Sequence, residues 1–153
     1  MPNFTSSFKS PTESAGLLIA RIILGVVLIA HGWQKFNEWT IAGTTEAFTG
    51  MGVPAAGIAA PIAATIELVG GILILIGLVT RIAAALVALQ MVGAGIWGGH
   101  FGSGIFIDGN GWELVMAMAA VAVILLAAGP CQYAADNFIF QSKEADAKTP
   151  VAV

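Results

Sequence analysis

The stretch IAAPIAATIELVGGILILIGLV, residues 58–79, carries a single ionisable side chain, Glu67, in an otherwise apolar run. A helix needs about 20 such residues to cross the hydrocarbon of a bilayer. Three further stretches read the same way. They are AGLLIARIILGVVLIAHGWQKF at 15–36, RIAAALVALQMVGAGIWGG at 81–99 and WELVMAMAAVAVILLAAGP at 112–130. The pattern predicts an all-α membrane protein, four transmembrane helices in one bundle. Between the first two spans, Ile41, Thr44, Phe48 and Met51 recur at helical spacing. A short amphipathic helix lying in the interface fits that loop, and an irregular surface loop fits it equally. Residues 1–14 are expected to be a mobile polar segment, 15–138 the membrane domain and 139–153 a mobile tail.

Composition points the same way. The 153 residues are 58% hydrophobic and 10% charged, with a mean hydropathy of +0.89. Soluble domains carry about 25% charged residues. Between positions 15 and 130 only Arg21, Lys35, Glu38, Glu46, Glu67, Arg81, Asp108 and Glu113 are charged. A lipid bilayer is therefore the expected solvent. Six basic residues, none clustered, give no nucleic-acid footprint. One cysteine, Cys131, excludes an intrachain disulfide, a CxxC redox pair and a thiolate zinc cluster.

Four spans place the N-terminus, the 79–81 hairpin and the C-terminus on one side. That side holds Lys9, Arg81, Lys143 and Lys148, against Lys35 alone on the other. The positive-inside rule then puts both termini in the cytoplasm. Trp33, Trp39, Trp97 and Trp112 fall at the outer face, as an aromatic belt or as the wall of an outer pocket.

Ionisable groups within hydrocarbon are functional candidates by default. At a rise of about 1.5 Å per residue, Arg21 lies about 9 Å from the inner face, Gln90 about 14 Å, Glu67 about 20 Å and His31 about 24 Å. Side chains lean toward their own helix N-terminus, which turns His31 and Glu67 toward each other and Arg21 toward Gln90. Two polar layers result. The outer one is His31, Glu67, His100 and Glu113, with Lys35 nearby; the inner one is Arg21 and Gln90, with Asp136 at the boundary. Glu67 and His31 are the candidate proton-handling pair. Arg21, Lys35, Gln90, Trp97, His100, Trp112, Glu113 and Asp136 are candidate binding residues. Interhelical hydrogen bonding is the plain alternative for all of them. Two histidines and two carboxylates suit zinc, iron or manganese, but no local ExxH or HxxxH pair is present, so no metal is expected. A quinone suits the combination better, needing an apolar aromatic slot and a group that trades protons.

The run RIILGVVLIAHGWQKF, Arg21 to Phe36, resembles the opening signature of the DoxX family: an Arg, a Gly, then His-Gly and a Lys. FTGMGVP, ELVGGILILIGLVTR and WELVM resemble its later segments. GPCQYAAD, Gly129 to Asp136, resembles its closing motif, which reads close to GPGRxSLD. Here Cys131 stands for a Gly, Gln132 for an Arg and Ala134 for a Ser, while Asp136 is kept. The resemblance implies a four-helix plasma-membrane protein. It also implies a link to membrane oxidoreductase assemblies, some similar to thiosulfate:quinone oxidoreductase and others tied to oxidative-stress defence. The leading expectation is a membrane subunit of such a complex, with oxidoreductase partners and self-association both open. The competing expectations are a non-catalytic scaffold that recruits partner proteins and a small-solute carrier.

Overall fold

A computed structural model describes residues 10–139; residues 1–9 and 140–153, most of the tails expected at 1–14 and 139–153, lie outside them. The described residues form helices and connecting turns, with no strand among them. Helix α1 is Pro11–Trp33 and runs on into a π-helical turn, Gln34–Glu38. α2 is Thr40–Gly50, α3 Ala56–Ile76, α4 Thr80–Trp97 and α5 Glu113–Ala128. Pro11–Glu38, Ala56–Ile76 and Thr80–Trp97 are long and apolar enough to cross a membrane. Glu113–Ala128 is apolar but shorter, at 16 residues. α2 occupies the loop where a short helix was one of two expectations.

Two helix ends differ from the sequence reading, and both have a local cause. α1 begins at Pro11, not near 15. Ser10-Pro11-Thr12-Glu13 is a helix-start pattern: Ser10 Oγ accepts the Glu13 N–H at 3.2 Å and donates to the Glu13 carboxylate at 2.7 Å, with Pro at the first helical position. α3 ends at Ile76, not Val79, because Gly77 adopts φ 75°. Its N–H and that of Leu78 bond back to Leu73 O at 2.9 Å each, and the Gly77 N–H also reaches Ile74 O at 3.2 Å. This is a Schellman-type stop, which needs a left-handed residue.

α1 packs along α3 and α4 along α5, with α3 beside α4; α2 lies against α3, and α1 meets α5 only slightly. Leu24, Leu28, Ile74, Val87, Ala122 and Leu125 fill the interior. The outward faces stay apolar, with Ile23, Ile58, Ile82, Leu89 and Ile124 all exposed. That arrangement needs a solvent as apolar as the core.

Between α1 and α3 the backbones touch. A Cβ on Gly71 would lie 2.9 Å from Ile29 N and 3.0 Å from Gly25 O; one on Gly32 would lie 2.7 Å from Leu68 Cα. Only glycine permits this approach, which small residues allow between helices in lipid. Gly32→Ala should overpack the contact by about 1–3 kcal/mol. Gly57→Ala, where an added Cβ meets nothing within 4 Å, should leave the melting temperature in detergent unchanged or raised. Equal melting of the two variants would contradict the backbone contact.

Candidate functional site

Three polar side chains from three segments meet inside the bundle. Lys35 Nζ donates to Glu67 Oε2 at 2.6 Å, and Gln90 Nε2 donates to Glu67 Oε1 at 2.8 Å. The Lys35 and Glu67 side chains are 11% and 8% exposed. Gln90 Nε2 also reaches Ala63 O at 3.3 Å. Both carboxylate oxygens of Glu67 are thus engaged, one from each neighbouring helix. Lys35 sits in the π-helical turn, where Trp39 N–H bonds back to Gln34 O at 3.0 Å. Its ammonium lies 5.7 Å from the Trp39 ring centroid, within cation–π range. Thr44 of α2 is buried under the same turn and donates to Lys35 O at 3.4 Å.

The expected His31–Glu67 contact does not form, and helix geometry says why. Gly32 lies against Leu68, so His31 and Glu67 stand at one level on antiparallel helices. His31 leans toward the start of α1 and Glu67 toward the start of α3, in opposite directions. Lys35, one turn further along α1, leans back toward Glu67 and has the longer reach. His31 remains half-buried, one turn below Lys35 on the stripe that carries Leu24 and Leu28. Its ring nitrogens make no hydrogen bond among the described residues.

Gln90 also changes partner, joining Glu67 rather than Arg21. The cause is the stop at Gly77. With α3 ending at Ile76 and α4 starting at Thr80, Glu67 lies nine residues above one end and Gln90 ten above the other. At about 1.5 Å per residue they are level. The sequence signal was Gly77 itself, a glycine just past an apolar helical run.

Arg21 serves the hairpin end instead. It is 1% exposed and donates to Ile74 O at 2.9 Å, Leu75 O at 2.9 Å and Cys131 Sγ at 3.0 Å. No carboxylate is among these acceptors; the C-terminal carbonyls of α3 receive the cation, where the helix dipole favours it. Asp136 does the converse. Its carboxylate accepts Val79 N–H at 2.7 Å, Thr80 N–H at 3.1 Å and Thr80 Oγ1 at 3.1 Å, capping α4. Val79 has φ 44°, an uncommon conformation for a β-branched residue, and the Asp136 bond holds it there. Arg81 in turn donates to Leu126 O at 2.7 Å and Ala127 O at 2.9 Å at the end of α5.

The remaining candidates stay in their own loop. His100 Nδ1 pairs with Asn110 O at 2.9 Å, Asn110 Nδ2 donates to Gly98 O at 3.1 Å, and Glu113 accepts Ile107 N–H at 2.7 Å. These bonds shape residues 98–113 and do not bring His100 or Glu113 to Glu67. Trp97 is exposed, and Trp112 packs against the core. Among the described residues no three His, Cys, Asp or Glu gather as metal ligands.

A buried ion pair is fragile to the loss of one member and tolerant of the loss of both. Lys35→Met or Glu67→Gln alone should destabilise by roughly 3–5 kcal/mol. The double variant should recover most of that, as read from melting of the detergent-solubilised protein. Additive losses would show that the two side chains do not interact.

Known proteins give the family. The chain is 40% identical over 79 residues to "Putative oxidoreductase CatD" of Bacillus subtilis (strain 168), covering 52% of this chain and 56% of that one. It is 29% identical over 128 residues to "Inner membrane protein YqjF" of Escherichia coli (strain K12), covering 83% of this chain and 94% of that one. It is 31% identical over 130 residues to "Uncharacterized membrane protein Rv3486" of Mycobacterium tuberculosis (strain ATCC 25618 / H37Rv), covering 79% of each. No solved structure matches. Residues 16–100 match the sequence model of DoxX, a stretch that holds Arg21, His31, Lys35, Glu67 and Gln90, and the chain belongs to the DoxX family of membrane proteins.

Proposed function

We propose that this protein is a bacterial plasma-membrane component of an oxidoreductase assembly, quinone-linked or serving oxidative-stress defence. In it the Lys35–Glu67–Gln90 cluster, with His31 beside it, handles protons. The observation that carries this reading is the cluster itself: an ion pair at 2.6 Å, buried between helices and extended by an amide from a third. Charged groups in hydrocarbon are costly and mark proton or ligand pathways. The name of the Bacillus subtilis relative, "Putative oxidoreductase CatD", supports the reaction class. A quinone that takes two electrons from a partner also takes up two protons. In this reading Glu67 and His31 pass them on.

In this reading all four apolar helices cross the membrane and the α3–α4 hairpin faces the cytoplasm, with both termini. α2 then lies at the outer face, as do His100, Trp97 and Trp112.

The complex purified in mild detergent should bring an oxidoreductase partner with it and reduce a short-chain quinone. The Lys35→Met/Glu67→Gln double variant should accumulate normally yet lose turnover at least about 100-fold, the low end for a proton-transfer group. His31→Ala should lower turnover too. Full activity in both variants would leave only a scaffolding role. Orientation is read by labelling. Cys131 is fully buried, so a maleimide should miss it on either side until the protein is denatured. In a Cys131→Ser background, Ser103→Cys should react with an impermeant maleimide on intact cells. Tyr133→Cys, at a side chain 54% exposed, should react only after permeabilisation. The reverse pattern would invert the topology.

A further inference from the structure

Residues 98–113 join α4 to α5 at the end of the bundle opposite the α3–α4 hairpin, and the connection is apolar where it is most exposed. Phe101, Ile105, Phe106 and Ile107 are 45%, 50%, 70% and 48% exposed. The backbone is nonetheless tied to both helices. Trp112 N–H donates to Gly104 O at 3.2 Å and Glu113 N–H to Ile105 O at 3.0 Å, which fixes residues 104–105 beside the start of α5. The Phe101 ring lies where a Cβ on Gly95 would stand, so the chain folds back beside the last turn of α4. Polar side chains serve the loop itself. Ser103 Oγ donates to Gly99 O at 2.8 Å and Asp108 accepts the Gly109 N–H at 2.9 Å, next to the His100–Asn110 and Ile107–Glu113 bonds. Backbone that leaves water needs its polar groups received in this way.

α5 is too short to bridge a bilayer on its own. Its 16 residues, at about 1.5 Å each, give about 24 Å against about 30 Å of hydrocarbon. The shortfall belongs to the loop end. At the other end Arg81 sits on the last carbonyls of α5, and a cation there marks the water boundary. A contiguous exposed apolar patch marks a membrane or partner contact. Here the patch continues surface that already faces lipid, Ile96 on α4 and Met116 on α5, both exposed. Residues 98–113 include Asp108 and Glu113 but no lysine or arginine, so anionic headgroups do not attract the loop. Its contact is with acyl chains.

We infer that residues 101–107 form a shallow membrane anchor. The side chains of Phe101, Ile105, Phe106 and Ile107 dip past the headgroups to the acyl boundary, while Ser103, Asp108 and Asn110 stay at the water line. The loop thereby supplies the apolar height that α5 lacks. Such an anchor forms in either orientation of the chain and is independent of the redox role proposed above.

In a Cys131→Ser background, a nitroxide is attached at Phe106→Cys and, separately, at Ile107→Cys. Both replaced side chains are exposed, so the fold survives the change. The full chain is reconstituted into phosphatidylcholine vesicles. Collision of the nitroxide with oxygen, which concentrates among acyl chains, is compared with collision with a water-soluble nickel chelate. Both labels should lie about 5–10 Å below the phosphates, the depth of an interfacial apolar face. A label at Val123→Cys, at a side chain 52% exposed on α5, should lie deeper still. Labels at or above the phosphate level at both loop sites overturn the inference, because the loop is then in water. So does shielding from oxygen and nickel alike, or broadening by a second nitroxide, since another protein chain then covers the patch.

Discussion

The backbone contact between α1 and α3 sets the rest of the structure. In lipid, helices gain little from hiding apolar surface, so association relies on close packing and on hydrogen bonds between helices. Gly25, Gly32 and Gly71 remove the side chains that would hold the two axes apart. The register that results is antiparallel and fixed at two heights. At one height Arg21 reaches the last carbonyls of α3. At the other Lys35 reaches Glu67. Widening the contact would strand a buried cation at each height at once.

The two heights solve the problem of charge in oil differently. At the hairpin end, among the described residues, neither Arg21 nor Asp136 enters an ion pair. Arg21 and Arg81 sit on the C-terminal carbonyls of α3 and α5, and Asp136 sits on the N-terminal N–H groups of α4. Helix termini leave these backbone groups without intrahelical partners, so each charge satisfies atoms that would otherwise be bare. Cys131 fits the same scheme: its sulfur accepts from Arg21 and its carbonyl accepts Asn137 Nδ2 at 2.5 Å. Where the family's closing motif has a glycine and an arginine, Cys131 and Gln132 stand here. The hairpin end still closes through Arg21 and Asp136.

Much of this was legible in the sequence. Hydrophobic run lengths placed the four apolar helices within a few residues, and the isolated polar and ionisable residues named the members of the cluster. What failed was pairing. Span limits drawn by hydropathy overran Ile76, the last residue of α3, by three residues, which lifted Glu67 about 4.5 Å too high and sent Gln90 to the wrong layer. Lys35 was placed beside the cluster rather than in it. Its position depends on the π-helical turn, and no local residue pattern announces that turn. His100 and Glu113 were grouped with Glu67 by depth alone. Their bonds to Asn110 O and Ile107 N–H come from a tight Gly-rich loop whose path composition does not specify.

The contrast between the two polar levels also bears on where chemistry resides. The hairpin-end side chains Arg21 and Asp136 bond to backbone groups, to the Thr80 hydroxyl or to the buried thiol, each with more than one partner, and such an arrangement stabilises a fold without leaving capacity for a ligand. At the Glu67 level the accounting stays open. Gln90 Oε1 is buried without a donor, while the His31 ring, partly exposed, has no hydrogen-bond partner among the described residues. Buried polar groups in folded proteins are nearly always satisfied, so exceptions call for a reason beyond packing. Interhelical adhesion alone would favour closing those bonds. The open valences therefore favour a site that receives something over a site that only holds helices together.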